Sequence, residues 1–347
     1  MSAGSAMAKP GFRLALAATC LALVVVGLGA FTRLRDAGLG CPDWPGCYGH
    51  LTWPDAAHEI AAAERRFPDA PVATDKTWPE MVHRYFAGTL GLFIAALVGI
   101  AWRHRQATGY PFRLPLLLAF LVVWQALFGM WTVTLKLWPQ VVTLHLLGGI
   151  GVLSLLWLLT LRLGNRRWRP GAVAAQNLAR LKPWVVLAIV VVTGQIALGG
   201  WISSNYAALA CGDFPTCHGQ WWPTMDFAQG FNIAQAVGPN YLGGLLESEA
   251  RTAIHVTHRL GAVVVSLALL GLGGALWATA WPGARRLALA IVTVLCLQVA
   301  LGVGNVLLAL PLPVAVAHNL GGAAVLLVLV TLAARIWTMR QSDVDAG

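Results

Sequence analysis

Charge is scarce in this 347-residue chain. Asp, Glu, Lys and Arg together make up 11% of it, against roughly 25% in an ordinary soluble domain. That shortage excludes a soluble globular protein of this length. The apolar runs are continuous and show no period-two alternation, which excludes a membrane β-barrel. The Cys-x-x-Cys spacing of thioredoxin-type redox enzymes is also absent. Acids are the rarest charged group, 14 against 24 Lys and Arg, so the formal charge is +10. A basic balance of this size raises the question of nucleic acid, and its distribution answers it.

What the chain has is hydrophobicity: 58% apolar residues and a mean hydropathy of +0.68. A bilayer is crossed by about 20 residues of helix. Eight runs qualify, near 13–32, 83–102, 115–135, 141–161, 184–203, 254–279, 286–308 and 314–337. With both termini placed in the cytoplasm, the inner segments hold 15 of the Lys and Arg residues and two acids. The outer segments hold nine bases and twelve acids. The loop from Arg162 to Lys182 alone carries six basic residues. This is the positive-inside bias, so the charge reports topology and no nucleic acid is expected. The first run follows Lys9 and Arg13 as a signal peptide would. Its counterpart deep in the chain argues for a retained span.

The two halves of the sequence repeat each other. Cys41-Pro42-Asp43-Trp44-Pro45-Gly46-Cys47 matches Cys211-Gly212-Asp213-Phe214-Pro215-Thr216-Cys217, 170 residues on. His83-Arg84 matches His258-Arg259 at 175. Gln125 and Gly129 match Gln298 and Gly302 at 173, as His145-Leu146-Leu147-Gly148-Gly149 matches His318-Asn319-Leu320-Gly321-Gly322. An even number of spans per repeat gives both halves the same orientation. The expected fold is therefore an all-α membrane protein of eight transmembrane helices. They would form two tandem four-helix bundles related by pseudo-twofold symmetry. The expected organisation is 1–165, a basic cytoplasmic linker 166–183, and 184–347. Two long outer loops, about 34–82 and 204–252, rich in Trp, Pro and Gly, would cap the bundles.

Four of the nine histidines belong to the repeat: His83, His145, His258 and His318. Each is expected within about five residues of the outer end of its helix, no more than roughly 8 Å below it at 1.5 Å per residue. Ionisable groups within a membrane are costly and usually functional. Each half supplies one pair, too few for zinc or copper, which want three or four ligands. Neutral imidazole is a good axial ligand for haem iron, so bis-histidine haem is the expected chemistry, one site per half. Gly148, Gly149, Gly261, Gly321 and Gly322 lie one turn away and would leave room for a flat macrocycle. Arg84 and Arg259 follow the histidines and are candidates for pairing with haem propionates. His50, His58, His104 and His218 read as loop residues.

The halves differ at one place that matters. Glu80 stands three residues before His83, where the second half has His255 before His258. Residues i and i+3 share a helix face, so Glu80 is either a site carboxylate or a plain loop-end residue. As a site residue it could orient water or relay a proton, which makes the first half the chemical one. Cys20 and Cys296 fall inside spans and are expected to be packing residues. The paired outer cysteines are open to two readings: an intraloop disulfide in each half, or a redox-active dithiol.

These residues resemble the haem A synthase family over nearly the whole chain. The resemblance rests on Gly38 to Pro45, Glu80 to Arg84, His145 to Gly149, His255 to Arg259 and His318 to Gly322, with cysteines paired in both halves as in some bacterial members. It implies oxidation of the ring methyl of haem O to a formyl group, giving haem A for cytochrome oxidase. It implies a resident haem b on His258 and His318, substrate haem between His83 and His145, and Glu80 as the catalytic carboxylate. It implies the bacterial inner membrane, membrane lipid around the chain, and haem O synthase and cytochrome oxidase assembly proteins as partners, and it allows a homo-oligomer. Three rivals stand beside it: a dihaem b-type electron-transfer cytochrome, a haem carrier or assembly factor, and a thiol–disulfide enzyme.

The charge bias has a direct test. An alkaline phosphatase domain, which folds only outside the cytoplasm, should be active when inserted near residue 60 or 235 and inactive near residue 170. The reverse pattern would overturn the orientation.

Overall fold

The structure, a computed structural model, describes residues 7–165 and 167–340. Arg166 of the basic linker and Asp343 and Asp345, the two acids counted on that side, lie outside the described residues. Among the described residues eleven helices follow one another: α1 Phe12–Leu34, α2 Ala57–Arg66, α3 Thr74–Arg103, α4 Arg113–Thr134, α5 Pro139–Leu163, α6 Ala172–Arg180, α7 Lys182–Ser204, α8 Phe227–Gly230, α9 Ser248–Ala278, α10 Pro282–Leu307 and α11 Leu312–Thr338. Eight of them, α1, α3, α4, α5, α7, α9, α10 and α11, are long and apolar enough to cross a membrane. In their most apolar windows mean hydropathy is 1.8 to 2.5, yet only 11% to 39% of each window is buried within the protein. Apolar side chains such as Leu92, Phe120, Val123 and Leu267 therefore face outward, as in a chain solvated by lipid. This is a multi-pass membrane protein.

The packing pairs run α1 with α3, α3 with α4, α4 with α5 and α5 with α1, which closes a ring of four. The second half repeats the ring with α7, α9, α10 and α11. In each ring the second and fourth helices, α3 and α5 or α9 and α11, stand diagonally opposite. The rings meet where α5 packs on α7 and α11, and α1 on α11. Below the loops the core is aliphatic, with Leu153, Leu156, Leu159 and Leu163 in the first half and Leu269, Leu276, Leu329 and Leu332 in the second.

The repeat holds at the level of single turns. The helices α1, α4, α7 and α10 all end in a left-handed residue, Asp36, Lys136, Tyr206 and Ala309. After each, a backbone N–H reaches back five residues to close the turn: Ala37 to Thr32, Leu137 to Thr132, Ala207 to Ile202 and Leu310 to Asn305. This is the Schellman ending, built without the glycine that would have announced it. The Trp44–Pro45 and Phe214–Pro215 bonds are both cis.

Three expectations need correction. Helices α3 and α9 start at Thr74 and Ser248, earlier than the apolar runs at 83 and 254, because their first turns are polar and α3 contains Pro79. His83 and His258 thus sit in the third turn of their helices instead of at the mouth. Cys20 and Cys296, expected as packing residues, are exposed on α1 and α10. The short helices α2, α6 and α8 lie in stretches expected to be loop or linker, and His58 is on α2.

The loops joining α1 to α3 and α7 to α9 are tied at one end by disulfides, Cys41–Cys47 and Cys211–Cys217. Both cysteine pairs are bonded, which a structural disulfide and the oxidised form of a redox-active pair share. Inside each bonded turn one carboxylate collects the chain: Asp43 accepts from the N–H groups of Tyr48 and Gly49, and Asp213 from those of His218 and Gly219. The Thr216 hydroxyl also donates to Asp213 and, with the two N–H groups, holds that carboxyl well below the usual range. Protein denatured without reductant should therefore take up alkylating reagent at two cysteines only, Cys20 and Cys296, and at all six after reduction. Six labelled cysteines before reduction would refute the bonded state.

Candidate functional site

One cavity of about 650 Å³ opens within the first ring at the loop end. Its wall gathers Glu80, His83 and Arg84 from α3, Gln125 and Gly129 from α4, and His145 and Gly149 from α5. The diagonal placement of α3 and α5 is what sets the two imidazoles on one space. The volume lies within the range of pockets that enclose a whole organic cofactor.

Each repeat histidine is packed against a glycine of the neighbouring helix. A Cβ at Gly29 of α1 would lie 3.0 Å from the His83 ring, and one at Gly129 of α4 would lie 3.5 Å from His145. Gly199 of α7 stands 3.4 Å from His258 on the same measure, and Gly302 of α10 stands 3.0 Å from His318. Nδ1 of His83, His145 and His318 is buried with no hydrogen-bond partner. His258 differs, because Gln195 approaches its Nδ1 at 3.2 Å and donates to its backbone carbonyl at 2.9 Å. In the first half the matching position is Val25, whose backbone lies beside His83. His258 and His318 are near enough to interact electrostatically.

The glycines singled out from sequence serve another purpose. A Cβ at Gly148, Gly261 or Gly321 would fall about 2 Å from an amide atom of Gln125, Gln195 or Gln298. Those glycines make room for glutamine side chains. Only Gly149 of the five lines the first cavity. The imidazole-bracing glycines were overlooked because they sit on other helices. The matched Gly129 and Gly302 in the repeat were the available signal.

Glu80 is buried and its reading as a loop-end residue fails. Its carboxylate accepts from the Cys41 N–H at 2.9 Å and from the Arg84 guanidinium. Arg84 also donates to the carbonyls of Asp43, Pro45 and Gly46. Arg259 repeats the grip on the carbonyls of Cys211, Asp213, Pro215 and Thr216. The guanidinium expected to face propionates is thus turned onto the disulfide turn in both halves. His255, in the place of Glu80, is buried and held at 2.9 Å from the Ala207 carbonyl. His218 lies outside the site at 2.9 Å from the Ala210 carbonyl. Among the described residues no three His, Cys, Asp or Glu side chains converge as a metal site.

Residues 12–330 match the family model COX15-CtaA, described as cytochrome oxidase assembly protein. The chain belongs to this family. A haem A synthase of Shewanella oneidensis is 45% identical over 315 residues, spanning 91% of this chain and 93% of that protein. A haem A synthase of Sphingopyxis alaskensis is 30% identical over 340 residues, spanning 92% and 89%. One from Caulobacter vibrioides is 28% identical over 353 residues, spanning 94% of each. The family match thus covers both rings and both cysteine loops.

The two arginine grips differ in what they leave behind when cut. Arg84→Ala strands a buried carboxylate, a loss of about 3–5 kcal/mol. Arg259→Ala removes only hydrogen bonds to a charged donor, about 1.5–3 kcal/mol each, a loss that Arg84→Ala shares on top of the stranded charge. Thermal unfolding in detergent should show the Arg84 variant melting lower, and a reversed order would refute the assignment.

Proposed function

We propose that this chain is a haem A synthase, oxidising the ring methyl of haem O to a formyl group. The observation that carries the reading is one cavity wall holding Glu80, His83 and His145 together. The full-length similarity to haem A synthases supports it. The residues fit haem: two imidazoles on diagonal helices, each braced by a glycine, with Nδ1 lacking a partner and a cavity of about 650 Å³ whose wall both share. His83 and His145 are the proposed ligands of the substrate haem, and His258 and His318 of a resident haem b. Haem, when bound, supplies one-electron redox chemistry. Glu80 holds its carboxylate at the cavity wall, where it orients water and takes a proton as the methyl carbon is oxidised. With oxygen taken from water the change is R–CH3 + H2O → R–CHO + 4 H+ + 4 e−, so turnover requires an external acceptor of four electrons. The proposed division is 1–165 for the substrate half, 166–183 for the linker and 184–347 for the haem b half, related by a pseudo-twofold axis. The proposed setting is the bacterial inner membrane, with both termini cytoplasmic and haem O synthase and cytochrome oxidase assembly proteins as partners.

A dihaem electron-transfer cytochrome is the second reading, favoured by the same histidine-on-glycine packing in both halves. It has no use for the difference between Glu80 and His255. Haem extracted from the purified protein and identified by mass separates the two: a synthase contains haem O or haem A beside haem b. His258→Ala and His318→Ala should each remove the low-spin haem b spectrum. Glu80→Gln should keep haem b and lower haem A at least about tenfold, with haem O or a partly oxidised haem accumulating. Normal haem A from Glu80→Gln would end the carboxylate's role.

A further inference from the structure

We propose that Arg33 is the anion anchor of the first cavity and seats a propionate of the haem substrate. The inference rests on reading that cavity as a haem site. Haem brings two carboxylates into an apolar bundle, and buried anions need a cation. The two arginines that the sequence marks for this task are engaged elsewhere, Arg84 by Glu80 and three carbonyls, Arg259 by four carbonyls.

Arg33 lines the same cavity. It lies one turn beyond Gly29, the glycine that braces His83. Its side chain is only 16% exposed. Three contacts fix it: the Tyr206 ring 4.2 Å from the guanidinium carbon, the Ser203 carbonyl, and Asp36 at 3.3 Å. Its Nε–H is buried and has no acceptor. Among the described residues Asp36 is its one carboxylate partner; it is 49% exposed and also accepts from the Tyr206 hydroxyl at 2.9 Å. An ion pair that open to solvent is weak, so the cation keeps most of its capacity. A planar guanidinium held in place takes a carboxylate through two parallel hydrogen bonds. The second half has no arginine at the matching place: the residue 170 positions on is Ser203, whose carbonyl Arg33 itself binds. The first cavity therefore recognises acid groups in a way the second half does not repeat.

The test compares iron protoporphyrin IX with its dimethyl ester, which keeps ring and iron but has no carboxylates. Each is titrated into purified protein in detergent, and the component absent from His83→Ala is read, so that haem in the second half is not counted. The wild type should prefer the free acid. Arg33→Gln should weaken free-acid binding by about tenfold or more and leave ester binding unchanged, with Arg33→Lys between. Equal weakening of both ligands, or no weakening, overturns the anchor while the haem site stands. A wild type with no His83-dependent component removes both. Should Arg33→Gln not be recovered folded, Asp36→Asn decides: it frees the guanidinium, so free-acid affinity rises several-fold and ester affinity does not. An unchanged free-acid affinity there overturns the proposal.

Discussion

A guanidinium seated on backbone carbonyls holds the loop end of each ring together. Arg84 and Arg259 each follow a site histidine by one residue, so the grip that secures the disulfide turn also fixes the register of the helix carrying the imidazole. Carbonyls of a tight turn are good acceptors, yet near lipid they have few alternatives to water or a cation. The disulfide and the inward Asp43 or Asp213 shape the turn so that several carbonyls converge on one point. Cap, cation and histidine thus form one unit, and the cavity wall inherits its rigidity.

On this shared frame the halves diverge through single side chains. Position 80 carries a carboxylate that takes an N–H and a cation, whereas position 255 carries an imidazole beside the Ala207 carbonyl. Position 195 is a glutamine against His258, and its counterpart is Val25. Position 33 is an arginine facing Ser203. Each swap changes charge or hydrogen bonding close to an imidazole and leaves the helix packing alone. A duplicated bundle can therefore keep one architecture and host two different sites.

Much of this was legible in the sequence, because hydropathy in a membrane chain is nearly a map of its helices. All eight spans were found, and the repeat located the four histidines and paired cysteines. The polar first turns of α3 and α9 were not, since nothing apolar marks a helix that projects past the lipid. Arg84 was assigned to a ligand because a cation beside a ligand histidine invites that reading. In the structure it donates to the Glu80 carboxylate and to main-chain carbonyls, and the carbonyls have no letter in a sequence. Arg33 stayed unseen for the opposite reason: its partners Ser203 and Tyr206 come from the other half and look unremarkable alone.

The loop of the second half reaches over onto the first. The Trp138 indole N–H donates to the Gln235 carbonyl, Gln140 to the Ile233 carbonyl, and the Tyr241 N–H to the Lys136 carbonyl. Trp138 and Gln235 are 97 residues apart. At the pace of synthesis, about 5–20 residues per second, roughly 5–20 s pass between the synthesis of Trp138, at the start of α5, and that of Gln235 in this strap. During biogenesis the first ring is thus inserted before its lid exists. The strap ties the second half of the chain to the first, and expressing the first half alone would yield a bundle lacking part of its own roof.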